Sequence, residues 1–243
     1  MLMNNSATDI TSNSNRASAA AVLVAAGSGS RMNGGDKVFQ GLCSRPLIEH
    51  SISVFMDSGL FQTTILVLSK NNIDKGHDLL SDRVSEGLIL TTGGIRRQDS
   101  VLRGLEKIHN ASVVVIHDGA RPCVTELLLK EGLQKVTKTG AAIPVIPVTD
   151  TVKSVNKYGR VERTVPREEL KFSQTPQFFS VDLIKKAHKE INENVTDDAS
   201  MVEMIGGEVE VFDGDAQNLK ITTFDDIAIA QSILEARKCY VGK

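Results

Sequence analysis

Between Ala25 and Lys37 the chain carries the residue types that phosphate chemistry needs. Ala25-Ala26-Gly27-Ser28-Gly29-Ser30-Arg31-Met32 follows an apolar run, and Lys37 comes six residues after Arg31. Gly27 and Gly29 let the backbone turn tightly and present its N–H groups to phosphate oxygens. Arg31 and Lys37 add two cations beside that cradle. Such a pair suits phosphoryl or nucleotidyl transfer, in which negative charge must be held on the reacting phosphate and on departing pyrophosphate. A dinucleotide fingerprint would place a third glycine three residues after Gly29, but Met32 stands there, and the Lys-Ser/Thr ending of a P-loop is absent. Taken alone, Arg31 and Lys37 fit a solvated surface pair equally well.

A second candidate group closes the apolar run Val113 to Ile116. Asp118 lies where open α/β sheets place ligand contacts. Its carboxylate can accept from a ribose or substrate hydroxyl, or contact a metal through water; with Gly119 next, it equally suits a turn or helix cap. His50 and His117 read as hydrogen-bonded structural histidines. Cys43, Cys123 and Cys239 are odd in number and share no metal-ligand spacing, so they read as packing residues in a reducing compartment.

The elements that must position these groups are legible as alternating patterns. Short β-branched runs at Ala20 to Ala26, Thr64 to Leu68, Leu88 to Thr91, Val113 to Ile116, Ala141 to Val148 and Val209 to Phe212 suggest buried strands. Helical patterns lie at Pro46 to Ser58, Ser100 to Ile108, Thr125 to Thr137, Val181 to Glu190, Asp198 to Ile205 and Thr223 to Ala236. This alternation predicts an α/β fold: a doubly wound, mostly parallel sheet covered on both faces. The charged stretch from about 150 to 172 breaks the rhythm. Its β-formers flank Asn156-Lys157-Tyr158-Gly159 and predict a protruding β-hairpin arm, which on its own is marginally stable and therefore calls for a packing partner.

With 243 residues, 41% of them hydrophobic, the chain can bury a full core as one domain over 19–243. A net charge of -2 provides no global field for nucleic acid or anionic lipid, so an anion must meet a local positive site. The apolar run Ala19 to Ala26 is far short of the roughly 20 residues a membrane span requires. Residues 1–18 are rich in Asn, Ser and Thr and lack the features of a secretion or transit signal, so a disordered tail and a cytoplasmic protein are expected.

Read together, Ala25 to Met32, Lys37, Gly93-Gly94-Ile95-Arg96-Arg97-Gln98-Asp99-Ser100-Val101 and His117-Asp118-Gly119-Ala120-Arg121-Pro122 resemble the 2-C-methyl-D-erythritol 4-phosphate cytidylyltransferase family. Asp150-Thr151, Gln174-Thr175-Pro176-Gln177, Thr196-Asp197-Asp198-Ala199-Ser200 and Asn218-Leu219-Lys220-Ile221-Thr222 follow in the family's order. The likeness covers about 19 to 236. One departure stands beside the loop lysine: the family usually has Pro before it and Gln after, whereas this chain has Asp36-Lys37-Val38.

The resemblance implies a Rossmann-like nucleotidyltransferase that moves CMP from CTP to methylerythritol phosphate, releasing pyrophosphate, in isoprenoid precursor synthesis. Ribitol 5-phosphate is the alternative acceptor. By the same carry-over Arg31, Lys37, Arg167 and Lys220 are catalytic, the last two by positioning the acceptor phosphate. Ala25, Ala26, Gly27 and Gly29 belong to the triphosphate loop, and Gly93, Gly94 and Ser100 to the cytosine contacts. Asp118, Arg121, Thr151 and Thr196 would touch substrate. Mg²⁺ would be held mainly by the CTP phosphates. The family's arm clasps a second subunit, implying a homodimer in which Arg167 and Thr151 serve the neighbour's substrate.

Overall fold

The computed structural model describes residues 18–27 and 37–241, so Gly29, Arg31, Asp36 and residues 1–17 of the tail expected at 1–18 lie outside the described residues, while Ser18 is placed, its hydroxyl donating to Gln62 Oε1 at 2.8 Å. β1 (Ala19–Ala25) alternates its side chains between two cores: Ala19, Ala21 and Leu23 face one, Ala20 and Val22 the other. That is the period-two arrangement of a strand buried on both faces. A short hairpin, β2 (Gly41–Leu42) and β3 (Arg45–Pro46), leads into α1 (Leu47–Asp57). β4 (Thr63–Leu68) pairs parallel with β1, and β5 (Ile89–Thr92) with β4. Between β4 and β5 lie α2 (Ile73–Leu79) and α3 (Ser81–Ser85). After α4 (Arg97–Leu105) the chain returns to the other side of β1 as β6 (Val113–Asp118), also parallel.

The second half adds α5 (Glu126–Thr139), β7 (Ala141–Pro147) and a separate two-stranded ribbon of β8 (Val152–Val155) and β9 (Val161–Val165). β10 (Lys171–Ser173) and β11 (Gln177–Ser180) run antiparallel to β7, and β11 also runs antiparallel to β6. After α6 (Val181–Glu190) and α7 (Asp198–Met204), β12 (Glu210–Asp213) pairs parallel with β7. The chain ends in α8 (Phe224–Val241). The doubly wound α/β architecture expected from the sequence is present, and the hairpin falls where the Asn156 to Gly159 turn placed it. The sheet is mixed because β10 and β11, too short to show a pattern, enter against the parallel strands.

Helices cover both faces. α1 and α5 pack on one side through residues such as Ile52, Phe55, Leu128 and Leu129. α4, α6 and α7 pack on the other through Val101, Leu105, Ile184 and Met201. Each fully buried Leu, Val or Phe stabilises by about 1.5–3 kcal/mol relative to exposure. α5 starts at Thr125, whose hydroxyl accepts from the Leu128 N–H at 3.3 Å, and it lies tightly on β11: a Cβ at Gly132 would collide with the Phe178 ring. Among the described residues no helix is long and apolar enough to cross a membrane.

Candidate active site

Strand order β5-β4-β1-β6 reverses direction of growth between β1 and β6. Helices leave opposite faces there, opening a crevice at the strands' carboxyl ends, the usual ligand position in such sheets. A cavity of about 510 Å³ occupies it. Ala25, Ala26 and Gly27 form one wall, Lys37 stands on its flank, Gly94 and Ser100 lie across from them, and Asp118 and Lys220 close the base. These sequence candidates, scattered over nearly 200 residues, are thus brought to one place.

Each wall has a local cause. Lys37 begins a single 3-10 turn whose next residues, Val38 and Phe39, are buried in the core against α1. Val38, the departure from the family's Gln, is therefore a packing residue that anchors the backbone of Lys37. Gly93 donates its N–H to the Leu68 carbonyl at 2.7 Å, bringing the β5 turn over the end of β4. A Cβ at Gly93 would lie 2.5 Å from Ala26 Cβ and 2.6 Å from Ser100 Oγ, so a side chain has no space there. Ser100 Oγ accepts from the Gly94 N–H at 3.1 Å and donates to the Arg96 carbonyl at 3.1 Å. The sequence pattern began the helix at Ser100. It begins at Arg97, three residues earlier, because the Arg96 N–H is capped by Asp99 at 3.0 Å.

The base is a chain of charges. Asp118 Oδ2 accepts from Lys220 Nζ at 2.6 Å, and Oδ1 from Arg97 Nε at 3.2 Å. Arg97 Nη1 also donates to Asp198 Oδ2 at 2.7 Å. Burial pushes Asp118 up, but Arg97 and Lys220 outweigh it and hold its carboxyl well below the usual carboxylate range. Burial raises Asp198, which is fully enclosed and shares Arg97 with Asp118. Arg97 loses solvation through burial, yet Asp198 and Asp118 raise it further above its ordinary value. In the sequence Arg97 stands within the Gly93 to Val101 motif with no evident role. Its signal was a cation at a helix N-terminus, where the backbone dipole disfavours one unless acids compensate.

Thr175, backed by His117, fixes the backbone at Asp118. The Asp118 N–H donates to Thr175 Oγ1 at 3.0 Å, and Thr175 Oγ1 meets His117 Nδ1 at 3.2 Å. The threonine proton then goes to Nδ1, leaving Nε2–H to donate to the Arg121 carbonyl at 3.2 Å. Burial lowers the His117 pKa to about 4, keeping the ring neutral. His50 is also buried and bonded, to the Leu42 carbonyl at 2.8 Å. Both histidines are structural, as expected.

The remaining candidates lie off this cavity. Arg121 is buried and donates to the Asn218 carbonyl at 2.7 Å; burial and the nearby Arg97 charge lower its pKa, against Asp118. It braces the segment that carries Lys220. Arg167 lines a separate, open concavity of about 450 Å³ with Thr149 and Lys171, donating to the Thr149 carbonyl at 2.6 Å. Thr151 and Thr196 are exposed, one at the base of the arm and one just before α7. One chain therefore gathers most of the described nucleotide candidates and leaves most acceptor candidates apart.

The side chains of Gln174 and Gln177 tie neighbouring loops to the motif between them. Gln174 donates to the Asp215 carbonyl at 2.9 Å and accepts its N–H at 3.2 Å. Gln177 donates to Asp197 Oδ2 at 2.8 Å and accepts the Ala199 N–H at 3.1 Å. Asp197 in turn caps α7 by accepting the Ser200 N–H at 3.1 Å. The two amides thus latch the loops that carry Lys220 and Thr196.

A sequence model of one family, described as IspD, 2-C-methyl-D-erythritol 4-phosphate cytidylyltransferase, matches residues 19–236. A protein of that name from Dehalococcoides mccartyi is 40% identical over 216 residues, covering 88% of this chain and 95% of its own. A crystal structure of 4-diphosphocytidyl-2C-methyl-D-erythritol synthase from Anaerococcus prevotii aligns with a TM-score of 0.80 at 28% identity, covering 91% of this chain and 100% of that one. The 2-C-methyl-D-erythritol 4-phosphate cytidylyltransferase of Thermus thermophilus aligns with a TM-score of 0.73 at 31% identity, over 88% of this chain and 98% of its own.

Proposed function

Because the chain belongs to the 2-C-methyl-D-erythritol 4-phosphate cytidylyltransferase family, and is therefore a CTP-dependent cytidylyltransferase of isoprenoid synthesis, we propose how its residues share that reaction. Convergence of Ala25 to Gly27, Lys37, Asp118 and Lys220 on one cavity at the strand ends carries the reading. Cytosine enters over Gly93, Gly94 and Ser100, where absent side chains leave backbone groups to recognise it. The triphosphate lies along Ala25, Ala26, Gly27 and Gly29. A phosphate oxygen of the acceptor attacks the α-phosphorus in line, and Arg31 and Lys37 hold the charge of the crowded phosphate. The nucleophile is already ionised, so no general base is required.

Lys220 and Arg167 grip the acceptor phosphate; Asp118, Thr151 and Thr196 orient the acceptor and ribose, with Arg121 bracing the segment that carries Lys220. Among the described residues no cluster of three or more His, Cys, Asp or Glu side chains offers a metal cage, and Asp118 is committed to two cations. That donor set fits Mg²⁺ carried in on the triphosphate, where it screens phosphate charge. Val155, Tyr158 and Val161 leave exposed apolar surface on the ribbon, which supports an arm that clasps a second copy in a homodimer. Arg167 and Thr151 then complete the partner's acceptor subsite. The family match does not favour ribitol 5-phosphate as acceptor. Pyrophosphate release measured for four nucleotides against both polyol phosphates tests the reading: turnover is expected with CTP and methylerythritol phosphate, and faster turnover of ribitol 5-phosphate, or of UTP, would overturn it.

A further inference from the structure

Arg97 opens α4, yet its guanidinium is turned inward and tied to two acids on two other elements. Nε reaches Asp118 at the end of β6, and Nη1 reaches Asp198 at the start of α7. Among the described residues its remaining nitrogen, Nη2, is buried without a hydrogen-bond partner, so the side-chain hydrogen bonds of Arg97 go to the two carboxylates. Asp198 is 0% exposed. The second oxygen of Asp118 is held differently: Lys220, which meets Oδ2 at 2.6 Å, is 45% exposed and stands on the cavity wall. One oxygen of Asp118 is thus clamped from inside the protein and the other by a side chain free to turn toward a ligand.

Resting on the roles given above to Asp118 and Lys220, we propose that Arg97 is a positioning residue: anchored by Asp198, it pins Oδ1 of Asp118 so that Oδ2 passes from Lys220 to a substrate hydroxyl as Lys220 turns to the acceptor phosphate. The exchange breaks one ion pair and makes another. Asp118 would be free to swing after Lys220 if nothing else held it. A planar fork meets both acids at once and stays charged throughout, whereas the point charge of a lysine cannot span them. Arg97 does its work through Asp118 and makes no bond to the reacting atoms.

Steady-state kinetics of the full chain with CTP and methylerythritol phosphate test this through a double-mutant cycle. Asp118→Asn and Arg97→Met are each expected to lower kcat by about tenfold or more, and to divide the loss between kcat and the two KM values in the same way. Arg97→Lys should recover only part of it. Combined with Asp118→Asn, Arg97→Met should cost no more than about threefold further, since the group it acts through is already lost. Losses that multiply would overturn the proposal, because a merely structural arginine damages the Asp118→Asn enzyme as much as the parent. Full activity in Arg97→Met alongside an inactive Asp118→Asn would overturn it while leaving the site intact; near-normal activity in Asp118→Asn would remove both the role of Asp118 and the proposal. If Arg97→Met fails to fold because Asp198 is left buried alone, Arg97→Met/Asp198→Asn removes both charges and takes its place in the cycle.

Discussion

At the end of β6, Asp118, His117 and Thr175 find their partners inside the same chain, and Asp118 is only 8% exposed. On the β8–β9 ribbon, Val155, Tyr158 and Val161 are 58%, 74% and 61% exposed, and the ribbon forms a sheet of its own. Both regions carry residues assigned to one reaction. The base of the cavity needs nothing further to hold its geometry, since buried charges persist only when paired. The ribbon is largely exposed, and a lone two-stranded unit is marginally stable without a packing partner. On the proposed reading, the described nucleotide candidates meet within one subunit, while the residues beside the arm would complete the acceptor subsite of a second.

The largest effect should come from the cavity side. Lys37→Ala is expected to lower turnover by about two orders of magnitude or more, equivalent to roughly 2.7–4 kcal/mol, comparable to losing a donor to a developing negative charge. Arg31→Ala should match it. Near-normal single-turnover rates in either variant would remove that residue from the reaction.

The arm side calls for a mixed dimer. Arg167→Ala and Lys37→Ala homodimers should both be nearly inactive. In a purified Arg167→Ala/Lys37→Ala heterodimer, one site collects both lesions and the other none, so about half of wild-type activity should return. Were Arg167 to serve its own chain, each site would keep one lesion and no activity would return. That outcome would reject the crossing arm and leave the nucleotide half unaffected.

The last effect concerns stability rather than turnover, and the base alone. His117 is neutral in the fold down to about pH 4, while in the unfolded chain it takes up a proton near 6.5. The unfolded state binds more protons across that window, so stability should be highest above pH 6.5, fall as pH drops, and stop falling on this account below about 4. The full effect is about 3 kcal/mol. His50 and His188 are lowered as well and act in the same direction. Denaturant midpoints from pH 7 to 4 should show a shallower slope for His117→Gln than for the parent; an equal slope would assign the dependence to the other histidines.

How much of this was readable in advance depended on range. β1 and the β8–β9 hairpin were legible because adjacent residues encode them. α2 and α3 were not: their faces are largely exposed, Gly76 interrupts the first, and only weak periodicity remains. Asp118 could be placed at a strand end, but its two cations stand 21 and 102 residues away. Arg97 escaped for the same reason, with Asp198 101 residues distant. Gln174 and Gln177 were noticed as part of a motif, yet their partners include backbone groups, which residue types do not reveal.

Those two glutamines carry a further consequence, for ionic strength. At 0.1 M salt, exposed charges more than about 10 Å apart are largely screened from one another. Gln174 holds its loop by neutral amide bonds, and Gln177 is fully buried, where mobile ions have little access. The scaffold of the site should therefore keep its shape in concentrated salt, while the attraction of Lys37, Lys220 and Arg167 for anionic substrates fades. Salt would weaken capture of the substrates and leave the loops that receive them in place.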